Sequence, residues 1–288
     1  MPDARKPLNV LYEDWAECTR CELGVRRVAV KGAFVAGEGT PRGVLFVGEG
    51  PGREEETNGR PFVGPSGMLL RKVIQKFGLE DYYITNLVSC RSCAAATNPD
   101  GTPKFYQRGK GPPIQIFRDE PPLPMQIEAC SPRFFEEIYI VDPIVIVGLG
   151  GRASEILSGH AITSIMRQRG ELMTITIPGA SYRPVLTEKR GAWVRKVKGQ
   201  LVMPTEQNQV EYLMIPTLHP AYVLRKLEER DETTSPLVHF INDVRLAVKI
   251  YERYLLEAFG IEPSGFSDTP IEEVTREQTP DPDEVPTE

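Results

Sequence analysis

The sequence contains no stretch of 18 consecutive apolar residues, which excludes a membrane-spanning helix. Its opening residues, MPDARKPLNVLYEDW, lack the apolar centre of a signal peptide, so export is not expected and a cytoplasmic protein is. No internal repeat is visible, which sets solenoids and propellers aside. Neither GxxxxGK[ST] nor a complete dinucleotide fingerprint occurs, so no nucleotide cofactor is expected. Cysteine is sparse: Cys18, Cys21, Cys90, Cys93 and Cys130. In a reducing compartment, cysteines so spaced suggest a metal before a disulfide.

Basic residues are almost missing from one end. Residues 261–288 hold nine acidic side chains against Arg276 alone, which gives them a charge of −8 and leaves +2 for residues 1–260. The overall charge of −6 therefore does not argue against a nucleic-acid partner. With five prolines and little apolar content, this tail is expected to be disordered. The body is long enough to bury a large core without staples, since chains of about 300 residues bury roughly three quarters of their unfolded surface.

What is present alternates between strand and helix. Val44–Gly48 (VLFVG) is an apolar run that ends in glycine and feeds the loop EGPG, the pattern of a buried strand. Residues 66–77 place Leu69, Leu70, Val73, Ile74 and Phe77 at helical spacing, with Ser66 as N-cap and Gly78 as stop. Further strands are expected at 82–88, 144–148 and 212–215, and further helices at 131–140, 151–157 and 236–257. The order predicts an α/β fold, a three-layer α/β/α sandwich around a mostly parallel four-stranded sheet, with the site at the carboxyl ends of the strands. That edge would carry GEGPG, Asn86 and Thr217-Leu218-His219-Pro220. Two segments break the rhythm. Residues 94–128 contain seven prolines, which argues against a long element there. Residues 183–198 hold six bases against Glu188 alone and are either a solvated hairpin or a basic arm, with Arg190, Arg195, Lys196 and Trp193, on a nucleic-acid backbone.

Alone, GEGPG is a weak signal. Followed by REEETNGRPFVGPSGMLL, then YYITNLVSC, then TLHPAYVLR, it makes the sequence resemble the uracil-DNA glycosylase superfamily, and most closely its iron–sulfur-containing family 4 branch. Arg169-Gly170 also fits. The resemblance covers roughly 14–93, 126–175 and 212–257, leaving about 94–125 and 179–211 as insertions in a single domain of residues 1–260. It implies a monofunctional DNA glycosylase that flips a base, uracil first, and hydrolyses its N-glycosidic bond to leave an abasic site. The implied partner is DNA, with no membrane, and the protein is expected to be a monomer.

The implied roles suit the residue types. Extruding a base costs a few kcal/mol, recovered by stacking and edge hydrogen bonds. Phe62 matches the stacking aromatic, although a lone phenylalanine otherwise reads as core. Asn86 matches the amide that reads the pyrimidine edge, since an amide offers a donor and an acceptor together; its plainer role is a strand-end cap. His219 matches the donor to the charge that develops on the departing base. Glu49 matches the motif carboxylate that orients water or favours a cationic sugar. Leu224 and Arg225 lie where relatives push a loop into the duplex. Cys18, Cys21, Cys90 and Cys130 match the ligands of a structural [4Fe–4S] cluster. Thiolates also suit zinc, and because the chain reads CRSC where the family usually reads CRPP, a Cys18/Cys21/Cys90/Cys93 zinc site is a rival. Two further alternatives stay open: excision of another base, such as a hypermodified phage cytosine, and a non-catalytic iron–sulfur module that binds DNA.

Overall fold

The computed structural model describes residues 5–107, 109, 111, 113–178, 183–186, 191–197, 200–202, 209–227 and 235–263; at 5–7 and 178–209 the backbone alone is described. The acidic tail, from 264 onward, lies outside the described residues.

Four strands form the parallel centre of the sheet, in the order Tyr82–Asn86, Val44–Gly48, Val145–Leu149 and Gln209–Thr217. Each middle strand is a continuous apolar run with every residue buried, as a sheet covered on both faces requires. Alternate side chains serve two cores. Val44, Phe46, Val145 and Val147 pack with the Pro65–Lys76 and Pro236–Phe259 helices, whereas Leu45, Val47 and Ile146 face Phe134, Phe135 and Ile138 of the Pro124–Val141 helix and Ala153 of the Gly151–Ser158 helix. This is the expected three-layer sandwich. The sheet is wider than four strands, because antiparallel Glu38–Gly39 and Met173–Pro178 extend its two edges.

Four expectations on element ends need correction. The strand expected at 82–88 stops at Asn86. The helix expected at 66–77 runs from Pro65 to Lys76, and Gly64 rather than Ser66 is its N-cap. Proline at the first helical position has no N–H to leave unsatisfied and so favours that start. The helix expected from Ser131 begins at Pro124 for the same reason and carries Pro132 inside it. The strand expected at 212–215 begins at Gln209, because its first residues pair with Met173–Pro178; one end of the second insertion is therefore part of the sheet.

Among its described residues, the proline-rich segment expected to be an insertion forms short ribbons. Cys93–Ala95 pairs with Phe117–Asp119, and Phe105–Tyr106 with Ile114–Gln115. In the basic segment and just beyond it, Arg183–Leu186, Gly191–Val197 and Gln200–Val202 make a separate three-stranded sheet beside the Pro124–Val141 helix. No described helix is long and apolar enough to cross a membrane.

Candidate active site and cysteine hollow

Glu49, Phe62, Asn86, His219 and Arg225 converge on one pocket of about 380 Å³. Glu49 follows the end of Val44–Gly48, and Asn86 ends the neighbouring parallel strand with its Cα opposite Gly48. A Cβ at Gly48 would sit 2.6 Å from the Phe62 ring and closer still to the Asn86 amide, so only glycine lets both enter. Asn86 is 4% exposed, and its Oδ1 has no hydrogen-bond partner. A buried, unpaired amide oxygen is costly unless a ligand completes it.

Phe62 is buried with φ +53°, a backbone conformation costing about 1–3 kcal/mol that persists where the surroundings hold it. Three clamps hold it. Arg71 donates to the carbonyls of Pro61 (2.8 Å) and Phe62 (3.0 Å). Glu55 accepts from the amides of Gly52, Val63 and Gly64 at 2.9–3.1 Å. Gly67 has no side chain, and a Cβ there would overlap the Phe62 backbone.

His219 caps the short Pro220–Arg225 helix, its Nδ1 accepting the Ala221 amide at 3.1 Å. With Nδ1 occupied as an acceptor, the neutral ring carries its proton on Nε2. Burial first, and Arg225 second, lower its pKa to about 4, so the imidazole is neutral at pH 7. The preceding strand end is fixed by Asp243, which accepts from Thr217 Oγ1 (2.6 Å) and twice from Arg169 (2.7 and 2.9 Å). Gly150, at φ +94°, admits the loop: a Cβ there would meet that of His219 at 3.2 Å. Burial raises the Glu49 pKa, and Arg152 opposes the shift. The site thus pairs a carboxylate with a neutral donor around a slot floored by an aromatic ring.

The pocket also takes in residues that sequence reasoning missed. Glu55 had a faint signal, the Gly52-x-x-Glu55 spacing of a helix start. Ser92, Asp119 and Glu120 had none, because a ribbon formed by the insertion brings them to the rim. Leu224 is not brought in: it is half-buried against the core, while Arg225 reaches the pocket. Arg190 lies outside the described residues. Arg195 and Lys196 belong to the Gly191–Val197 strand, where the backbone alone is described.

A second hollow gathers Cys18, Cys21, Cys90 and Cys130 with Trp15, Leu23, Phe34 and Val88. Burial, then Cys130, pushes the Cys90 thiol up to about 11, and Arg27 opposes the shift; burial also raises Cys21. Thiols this reluctant to ionise alone become thiolates when a cation supplies the compensating charge. Cys93 has other company: the charged groups around it are Arg26, Arg91, Glu56 and Asp119. Among the described residues, no three Cys, His, Asp or Glu side chains close on one ion-sized point. Four thiols gathered round one hollow are a donor set that suits an iron–sulfur cluster, and thiolates suit zinc as well.

The family model of the uracil DNA glycosylase superfamily matches residues 36–245. Similar proteins include the type-4 uracil-DNA glycosylase of Thermotoga maritima, 31% identical over 76% of this chain and 83% of that protein. That of Pyrobaculum aerophilum is 31% identical over 81% and 92%. That of Archaeoglobus fulgidus is 29% identical over 72% and 98%.

Proposed function

Because the chain belongs to the uracil DNA glycosylase superfamily, we propose that it excises uracil from DNA, hydrolysing the N-glycosidic bond of a base flipped into the Glu49–Phe62–Asn86–His219 pocket. The observation that carries this reading is the convergence of those four side chains, from four separate segments, on one slot around the unpaired Asn86 oxygen. The base stacks on Phe62. The Asn86 amide accepts from the ring N3–H and donates to O4. As the bond breaks, negative charge gathers on the base, and the neutral His219 donates Nε2–H to O2 without yielding a full proton. The Glu49 carboxylate orients water toward the sugar carbon and offsets its developing positive charge. Water's hydroxyl goes to the sugar, its proton to the departing base, and no covalent enzyme intermediate is needed.

The cysteine hollow is read as the seat of a [4Fe–4S] cluster held by Cys18, Cys21, Cys90 and Cys130, with zinc as the rival. Its contribution there would be a structural cross-link between the segment joining the Arg5–Ala16 and Glu22–Ala29 helices, the loop after Asn86 and the Pro124–Val141 helix.

A second reading, excision of a differently substituted base, has one observation in its favour: Asp119, Glu120, Pro121 and Pro122 of the insertion line the same pocket. One assay separates the readings. Oligonucleotides carrying uracil, hypoxanthine, thymine or a hypermodified cytosine are incubated with the protein and cleaved with alkali. Strand breaks at uracil support the first reading, and breaks only at another base support the second. Binding without breaks at any of them leaves a non-catalytic module and overturns both.

A further inference from the structure

The proline-rich segment carries a ribbon whose tip no catalytic role uses. Its two short strand pairs are joined at Ala96, whose amide donates to the Ile116 carbonyl (2.8 Å) and whose carbonyl accepts from the Lys104 amide (2.7 Å). The root of the ribbon is fixed at the pocket. The Glu120 amide donates to the Ser92 carbonyl (3.0 Å). Buried Arg91 pairs with both Asp119 and Glu56, the latter on the short helix that follows the GEGPG loop. Ser92, Asp119 and Glu120 line the pocket itself.

The tip is apolar and open to solvent. Phe105, Tyr106 and Ile114 are 52%, 55% and 61% exposed. Tyr106 stands opposite Ile114 across the strand pair, which puts Phe105 on the other face. Lone exposed apolar residues are ordinary, but three at one end of a ribbon two strands wide mark a contact surface. The charge around them is of one sign. Residues 93–118 hold Lys104, Arg108, Lys110 and Arg118 against Asp100 alone. Lys104 and Arg118 are exposed, and among the described residues neither has an ion-pair partner. Arg108 and Lys110 lie outside the described residues.

Aromatic rings interleaved with bases suit a single nucleic-acid strand, whose bases stack on rings and whose phosphates attract cations. In an intact duplex the bases already stack on one another, so the rings gain little there. The location fits as well. Ile114 is five residues from Asp119, so the tip stands within about 17 Å of the pocket rim along the strand. At about 3.4 Å per stacked base, that is no more than about five nucleotides from the pocket.

We propose that the ribbon of residues 104–118 is a docking surface for single-stranded DNA, with Phe105 and Tyr106 stacking on unpaired bases and Lys104 and Arg118 on the phosphates beside them. That these bases flank one being excised rests on reading the pocket as a base-excision site. The docking itself does not, so the two can fail separately.

The test is fluorescence anisotropy of the full-length protein with a labelled, uracil-free single strand and with the duplex made from it. Phe105→Ala/Tyr106→Ala should weaken single-strand binding by about fivefold or more, the low end for one base–aromatic stack, and change duplex binding by less than about twofold. Phe105→Leu/Tyr106→Leu, which keeps apolar bulk without a ring, should lose as much. Lys104→Gln/Arg118→Gln should flatten the dependence of log single-strand affinity on log salt by about 0.7 for each lost phosphate contact, about 1.4 in all. Wild-type affinity in the leucine variant overturns the proposal, whatever the alanine variant does. A loss on the duplex as large as that on the single strand overturns it too, as does an unchanged salt slope. Unchanged affinity for both DNAs would give the exposed rings to a protein partner instead. The oligonucleotides contain no uracil, so failure to excise it would sink the functional reading and leave this one standing.

Discussion

At His219, burial and one backbone amide decide the chemistry. With its pKa lowered to about 4, the imidazole should stay neutral through the working range. Single-turnover uracil excision should therefore show no inflection near 6.5, where an ordinary histidine titrates. Its acid limb should instead follow Glu49, displaced above the usual carboxylate value. A rate profile from pH 4 to 9 checks this, and a step near 6.5 would refute the neutral donor. Stability carries the same sign. Between pH 6.5 and 4 the unfolded histidine binds a proton that the folded one does not, so stability conferred by the neutral ring is present above 6.5 and lost as pH falls toward 4. His219→Asn should flatten that part of the melting-temperature profile. His219→Ala and Glu49→Ala should each slow single-turnover excision by about 10² or more, with DNA affinity little changed. Phe62→Ala should weaken substrate capture by about 1–3 kcal/mol, read from the concentration dependence of the single-turnover rate.

At the scale of elements, the Pro124–Val141 helix joins two sites, with Cys130 facing the hollow and Arg133 reaching the strand end. Cys130→Ala should lose iron and lower the melting temperature, whereas Cys93→Ala, in its setting of charged side chains, should keep both. Metal analysis of the two purified variants decides between them, and the reverse outcome would give the fourth ligand to Cys93. The three-stranded basic sheet belongs to a different question. If it lies on DNA, replacing Arg190, Arg195 and Lys196 with alanine should flatten the dependence of log affinity on log salt by about 0.9 for each lost phosphate contact, up to about 3 units. An unchanged slope in the triple variant would make it a solvated hairpin.

At the scale of the molecule, charge is divided unevenly. Residues 264–288 hold eight acids against Arg276, so removing them takes the net charge from −6 to +1. Truncation after Pro263 should tighten binding to undamaged duplex at low salt and leave the melting temperature of the body unchanged, because like charge repels phosphate only over a Debye length of about 10 Å at 0.1 M salt. Equal affinity for both forms would show that the tail plays no electrostatic part in DNA encounter.

The four parallel strands were legible because strands buried on both faces have to be apolar throughout, and VLFVG and IVIVG are. Glu49, Asn86 and His219 were legible because a parallel sheet gathers the carboxyl ends of its strands on one edge, wherever they lie along the chain. The antiparallel edge strands were not: Glu38–Gly39 has only two residues, and Met173–Pro178 finds its partner across an insertion. Nor did CRSC decide which cysteine is the fourth of its set. Cys93 is three residues from Cys90 in sequence, yet the turn into the Cys93–Ala95 strand sends it among arginines and carboxylates, while the long helix brings Cys130 back to Cys21 and Cys90. Arg133 had no signal at all. An arginine on a helix reads as a solvated side chain until packing places two strand-end carbonyls around it, and those carbonyls lie more than forty residues away along the chain. The sequence determined which chemical groups the protein has and which strand ends carry them; the packing of distant segments decided which groups share a cavity, because burial and hydrogen-bond partners are properties of the assembled layers.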